Sequence, residues 1–157
     1  MKNSIGINQG KAEELQELLN SLLANFQMYY QNLRGFHWNI KGNNFFELHL
    51  KFEELYNDSQ DKIDMIAERI LTLGYQPLHT FKDYSKTASI KASKNVSKDV
   101  DIMKDIKRSL GTLLTLEREI LNLADEAEDE GTNSMMSDFI SEQEKTVWMV
   151  SSWLKKD

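Results

Sequence analysis

The sequence predicts an all-α protein built as a four-helix bundle with one long connection in its middle. Three observations support this prediction. Four long segments carry apolar side chains at helical spacing, the 157 residues include a single proline, and no segment shows the alternating pattern of a β-strand. The composition, 40% apolar and 28% charged, is typical of a soluble globular protein. No apolar run approaches the roughly 20 residues of a membrane span.

The first two helices are predicted over residues 9–38 and 45–73. Asn44, followed three residues later by Glu47, is similar to a capping box and predicts the start of the second helix. Gly74 fits the left-handed residue that ends a helix. The apolar face of the first helix consists of Leu15, Leu18, Leu19, Leu22, Leu23, Phe26, Tyr30 and Leu33.

The second half of the chain predicts a long connection and two more helices. Residues 75–97 form the connection, with a short helix at about 80–85. The third long helix is expected over about 98–128 and the fourth over about 132–155, separated by a break at Gly131. Two helices, a long crossover and two further helices describe the ferritin-like topology, and we assign residues 1–157 to one such domain.

Charge and cysteine content limit the function classes. The formal net charge of −6 argues against nucleic acid as a default partner and favours attraction of cations. The chain has no cysteine, which excludes disulfides and thiolate metal sites. Because the first sixteen residues contain no apolar core of a signal peptide, we expect no secretory signal and a cytoplasmic protein.

Five side chains form a metal-ligand pattern: His37, His49, Glu53, Asp64 and Glu68. Imidazole nitrogens combined with carboxylate oxygens suit iron or zinc better than calcium. His49 and Glu53 lie one helical turn apart and share a face, as do Asp64 and Glu68. Along the helix, however, Glu53 and Asp64 are roughly 16 Å apart. Since a metal–ligand bond is about 2 Å long, one ion cannot use both pairs of one helix.

Three interpretations remain for these pairs: solvated acidic patches, two separate sites, or two half-sites. Half-sites require a second copy of the helix that crosses antiparallel about a two-fold axis at the height of Asp58 and Ser59. His49 and Glu53 of one chain would then face the later acidic pair of the other, and each dimer would hold two sites. No histidine has a glutamate three residues before it, so the Glu-x-x-His signature of a site inside one bundle is absent.

The segment FHWNIKGNNFFELHLKFEELYND, followed by DKIDMIAERILTLGYQP, resembles the Dps family, ferritin-like mini-ferritins that protect bacterial DNA from starvation and oxidation. The resemblance is specific over about residues 32–83, and EKTVWM looks like the family's final-helix motif. It implies a hollow dodecameric shell with ferroxidase sites at two-fold interfaces, where one subunit supplies the histidines and its neighbour the acidic pair. The positions that match the family's ligands are His37, His49, Asp64 and Glu68. Glu53 stands where the family commonly has aspartate.

The resemblance also implies roles outside the ligand set. Trp38 matches a family tryptophan near the iron, which can donate an electron and quench radicals; the plain alternative is a core aromatic. Asp125, Asp129 and Glu130 fall where the family lines three-fold iron-entry pores with carboxylates. Ser134 replaces an acidic residue often found in that pore.

The implied function is that of a mini-ferritin. It would bind Fe(II) at a di-iron or mononuclear site, oxidise it with H₂O₂ in preference to O₂, store the ferric mineral and use no organic cofactor. Direct DNA binding is not expected, because the termini offer only Lys2, Lys155 and Lys156 in place of the lysine-rich tail that many DNA-binding members use. The alternatives are a DNA-compacting nucleoid protein with little iron chemistry and a helical assembly protein with a silent site.

Overall fold

The computed structural model describes residues 1–155, so Lys156 lies outside the described residues. The helices are α1 (Gln9–Asn39), α2 (Phe45–Thr72), a short α3 (Phe81–Thr87), α4 (Asp99–Glu126) and α5 (Glu130–Leu154). Helix α1 packs along α2 and α4, α4 packs along α5, and α3 lies against α1 within the long connection. The predicted all-α bundle with a crossover is confirmed. Among the described residues, no helix is both long and apolar enough to span a lipid bilayer.

Apolar side chains from all four long helices form one core. Phe26 of α1 meets Phe139 of α5 edge to face at 6.1 Å, and Phe36 of α1 meets Phe52 of α2 at 6.3 Å. Each large apolar side chain that is removed from water stabilises the fold by about 1.5–3 kcal/mol. This core therefore determines the position of α1 against α2, where the histidines lie.

Asparagine side chains on α1 hold the crossover in place. Asn20, Asn25 and Asn32 all accept hydrogen bonds from its backbone. The Asn25 Oδ1 accepts from Ile90 N at 2.9 Å, and the Asn32 Oδ1 accepts from Ser93 N at 2.9 Å. Since a buried amide without a partner costs about 1–3 kcal/mol, these bonds stabilise a segment that has little regular structure.

The capping of α2 differs from the prediction at the start of the helix and agrees with it at the end. The predicted capping box is wrong, because the Asn44 side chain makes no cap bond and instead donates from Nδ2 to Asp99 Oδ2 at 2.9 Å. This bond links the start of α2 to the start of α4. Gly74, with a φ of 95°, has the left-handed conformation expected just after α2.

The start of α5 lies two residues before the start that the sequence predicts. The helix begins at Glu130, so Gly131 lies in its first turn and is not a break. The N-cap is Asp129, whose Oδ1 accepts from Thr132 N at 3.0 Å. A Cβ at position 131 would lie 2.8 Å from the guanidinium of Arg69, so this glycine is explained by the close approach of that side chain.

Candidate metal centre

The imidazoles of His37 and His49 form a stacked pair between the end of α1 and the start of α2. Their ring centroids are 3.8 Å apart and their planes differ by 11°. The His37 Nδ1 lies 2.6 Å from the His49 carbonyl oxygen, and the His49 Nδ1 lies 2.7 Å from the His37 carbonyl oxygen. Because a carbonyl oxygen can only accept, each Nδ1 carries the hydrogen, and the Nε2 of each neutral ring keeps a free lone pair. Both rings are therefore prepared to bind a metal through Nε2.

Aromatic side chains hold the histidine pair from both sides. The Phe45 ring stacks on His49 with centroids 5.0 Å apart, and the Tyr56 ring meets His37 edge to face at 5.3 Å. His37 itself is buried, whereas His49 is half-buried. This packing restricts ring rotation and so fixes the direction of the nitrogen atoms.

Glu53 brings a carboxylate to the histidines. Its Oε1 lies 3.9 Å from the His37 Nε2 and accepts a hydrogen bond from the Tyr56 hydroxyl at 3.4 Å. Two ligand atoms that share an ion at about 2 Å lie roughly 3–4 Å apart, so this spacing suits a metal between them. Burial and the nearby Glu53 carboxylate raise the pKa of Tyr56, which keeps the phenol a donor. Sequence reasoning missed Tyr56, although its position three residues after Glu53 on a helix could have indicated it.

Asp64 and Glu68 form a separate acidic pair on the exposed side of α2. A hydrogen bond with Asp64, together with the negative charge of the Asp64 carboxylate, raises the pKa of Glu68. Two carboxyls this close favour a shared proton or a shared cation, because like charges repel.

A single chain carries incomplete ligand sets. His37 lies beside both His49 and Glu53, while Asp64 and Glu68 remain apart from them. Within residues 1–155, no three His, Asp or Glu side chains form a group that could hold a metal ion. A complete site therefore needs ligands beyond those that one chain brings together.

Trp38 lies on the surface next to this site and is not a core aromatic. Its side chain is 56% exposed, and the guanidinium carbon of Arg34 lies 5.0 Å from its ring centroid, within cation–π distance. The third histidine, His79, is exposed in the crossover, eleven residues after Glu68, and does not belong to the ligand pattern.

The three acidic residues near the α4–α5 turn have different surroundings. Asp125 and Glu130 are exposed. Asp129 is only 1% exposed, and its carboxylate accepts from Arg69 Nη2 at 2.5 Å and from the Thr132 hydroxyl at 2.5 Å. This placement corrects the expectation that Asp129 lines a pore, because its oxygens are used inside the fold.

A second polar cluster, which sequence reasoning missed, extends from the interior of the bundle, where Lys62 and Glu117 are buried, to the exposed carboxylates of Asp58 and Glu142. The Lys62 ammonium donates to Asp58 Oδ2 at 2.6 Å and to Glu142 Oε2 at 2.8 Å. Glu117 is fully buried and accepts from Gln143 Nε2, and its Oε2 has no hydrogen-bond partner. Burial raises the pKa of Glu117 to about 8. The buried members of this cluster are thus an ammonium and a carboxyl group with a raised pKa, whereas a metal site in the core of a bundle needs ionised carboxylates.

Comparisons with known proteins agree with this architecture. A family profile described as "Ferritin-like domain" matches residues 16–157. A DNA protection during starvation protein from Porphyromonas gingivalis is 42% identical over 151 residues, which cover 96% of this chain and 95% of that protein. The crystal structure of a Dps protein from Vibrio cholerae O1, described as a member of a broad superfamily of ferritin-like diiron-carboxylate proteins, has 50% identity and a TM-score of 0.97, with 98% and 97% of the two chains covered. A Dps protein from Bacillus brevis has 35% identity and a TM-score of 0.90, with 99% and 100% covered. Since these similarities span nearly the whole chain, the protein belongs to the Dps family of ferritin-like proteins.

Proposed function

We propose that the protein is a mini-ferritin that binds Fe(II), oxidises it with hydrogen peroxide in preference to O₂, and stores the ferric mineral inside a hollow dodecameric shell. Iron is both substrate and cargo. The observation that carries the proposal is the pair of Nε2 atoms on His37 and His49, both free to bind a metal. Membership of the Dps family supports it, as does the diiron-carboxylate description of the Vibrio cholerae relative.

The proposed site lies between two subunits. One subunit supplies His37, His49 and Glu53, and its neighbour supplies Asp64 and Glu68. The separation of roughly 16 Å between Glu53 and Asp64 along α2 supports this arrangement, because one chain cannot bring both ends to one ion. The imidazoles bind as neutral ligands, while the carboxylates supply negative charge and favour Fe(III), the harder ion.

The proposed chemistry avoids free radicals when two irons react together. Each Fe(II) gives one electron to the same peroxide, whose O–O bond breaks to form two water molecules with uptake of two protons. Hydroxyl radical, the product of one-electron reduction, is then not released. Trp38 is proposed to donate an electron when a single iron reacts. Asp125 and Glu130 remain the proposed lining of an iron-entry pore.

Protection of DNA is proposed to be chemical, through removal of Fe(II) and peroxide, and not to require direct binding. The net charge of −6 supports this, as do the few cations at the termini.

Anaerobic addition of Fe(II), followed by peroxide, tests the proposal by the absorbance of the ferric product. The double variant His37→Ala/His49→Ala is expected to lose fast peroxide-dependent oxidation while light scattering still reports a large closed oligomer of about twelve chains. His79→Ala is the matched control, because His79 is exposed in the crossover. Oxidation at the parent rate by an assembled double variant would contradict the proposed site.

A further inference from the structure

Helix α2 leaves two large apolar side chains exposed near its ends. Phe46 is 76% exposed and Leu71 is 57% exposed. At about 100° per residue, the positions of Phe46, Glu53, Asp64 and Leu71 lie within about 20° of one another around the helix. The two apolar side chains therefore share one face with the acidic residues of the two half-sites.

This face is symmetric in sequence. The midpoint of Phe46 and Leu71 falls between residues 58 and 59, and the midpoint of Glu53 and Asp64 falls at the same place. A two-fold axis through this point would set residue 53 of one copy opposite residue 64 of the other, and residue 46 opposite residue 71. The apolar pair therefore has the same symmetry as the ligand pairs.

We propose that Phe46 of one subunit packs against Leu71 of a second copy of this chain, and that the two contacts close the outer ends of the two metal sites. The inference rests on the proposed function in one respect, the antiparallel arrangement of the half-sites. Phe46 lies about one turn beyond His49, and Leu71 about one turn beyond Glu68, so each contact borders the ligands. An apolar border excludes water and strengthens the interaction between carboxylates and a cation.

The charge pattern of this face favours an antiparallel second copy as the partner. One half of the face presents the imidazole of His49 and the carboxylate of Glu53, and the other half presents Asp64 and Glu68. An antiparallel copy sets His49 against Glu68 and only Glu53 against Asp64, whereas a parallel copy sets all three carboxylates against their own copies. The contacts lie about 19 Å from the axis, and helices that cross at about 20° remain close over that distance.

Crosslinking tests the contact directly, because the chain has no cysteine. In the variant Phe46→Cys/Leu71→Cys, the two thiols of one chain are roughly 37 Å apart, so a short bis-maleimide can only join two chains. We expect a covalent dimer on a denaturing gel. The controls are each single variant and Phe46→Cys/Thr72→Cys, since position 72 is exposed but turned about 100° away. An assembled Phe46→Cys/Leu71→Cys variant that yields no more dimer than these controls would overturn the proposal.

A size exchange gives a second test that needs no crosslinker. Phe46→Leu and Leu71→Phe should each lower the guanidinium concentration at which the oligomer dissociates, and the double variant should restore it. Single variants without effect, or a double variant no better than the singles, would also overturn the contact. Neither test uses iron. If both tests fail but the protein oxidises iron, only this contact is refuted. If both tests succeed but the protein does not oxidise iron, only the proposed function is refuted.

Discussion

His37 and His49 each donate the Nδ1 hydrogen to the other residue's backbone carbonyl oxygen, at 2.6 and 2.7 Å. The acceptors belong to the backbone, so the direction of each ring depends on how the end of α1 packs against the start of α2. The core contact between Phe36 and Phe52, next to the histidines, stabilises that packing. The geometry of the proposed metal ligands is therefore a direct consequence of the bundle core.

The Asp64–Glu68 pair predicts that metal binding depends on pH. The hydrogen bond with Asp64, with its charge, raises the pKa of Glu68, so a proton competes with the cation. Affinity for Zn²⁺ should therefore fall as the pH is lowered, and the fall should begin at a higher pH than it would for a site with an isolated glutamate. Calorimetric titration with Zn²⁺ at mildly acidic pH, in two buffers of different ionisation enthalpy, should show proton release that Glu68→Gln reduces and Glu54→Gln leaves unchanged. Parent protein that releases no proton would contradict this prediction.

Because Glu117 is buried, we expect the free energy of unfolding to decrease as the pH rises. Its folded pKa of about 8 lies above the ordinary value of 4.5, so the stability that its protonated form contributes is complete below about pH 4.5 and is lost as the pH rises towards 8. Glu117→Gln keeps an acceptor for Gln143 and cannot ionise. We expect the variant to gain up to about 3 kcal/mol at pH 7 relative to the parent, and little at pH 5.

Thermal unfolding of Glu117→Gln and the parent at pH 5, 7 and 8.5 checks this expectation. Glu119→Gln is the control, because Glu119 is exposed on the same helix. A Tm difference between Glu117→Gln and the parent that stays constant across these pH values would show that Glu117 is ionised in the fold.

Arg69 predicts a large loss of stability on substitution. It pairs with Asp129, which is 1% exposed, so Arg69→Met leaves a buried carboxylate without its opposite charge. We expect a loss of about 3–5 kcal/mol in the free energy of unfolding. Arg118→Met is the matched control, since its ion pair with Glu144 is exposed and should be worth only about 0.2–1 kcal/mol. Chemical denaturation of both variants measures the difference, and similar losses would contradict the assigned role of Asp129.

The sequence predicts those features that depend on a pattern repeated along the chain. It does not predict those features that depend on a single contact between residues distant in sequence. The apolar periodicity predicts the bundle and its crossover, because each long helix must bury one face. Asn44 could not be interpreted correctly from sequence, since its side chain bonds Asp99, 55 residues away. Gly131 is predicted to break the helix, yet it lies in the first turn of α5, where the guanidinium of Arg69 approaches its backbone closely. The ligand residues were proposed from spacing and resemblance, but the mutual bonds of the histidines depend on tertiary packing.

DNA binding is expected to be absent at moderate salt. The most basic stretch of the folded body, residues 82–108, has eight Lys and Arg against four Asp and Glu, a net charge of +4, which leaves −10 for the rest of the chain. At ~0.1 M salt the Debye length is about 10 Å, so this stretch acts only locally against an acidic shell. We expect no retardation of plasmid in a gel at neutral pH, but intact plasmid after an Fe(II) and peroxide challenge. Tight complexes in magnesium-free buffer at this salt would favour the nucleoid alternative.

Mixed shells test the intersubunit site most directly. A His37→Ala/His49→Ala chain and an Asp64→Asn/Glu68→Gln chain are each expected to be inactive in fast iron oxidation with peroxide. Where the two meet at a two-fold interface, one of the two sites receives intact histidines from one chain and intact carboxylates from the other. Random mixing at equal amounts should therefore restore about a quarter of the parent activity. Shells shown by mass spectrometry to contain both chains, yet with no restored oxidation, would contradict a site shared between subunits.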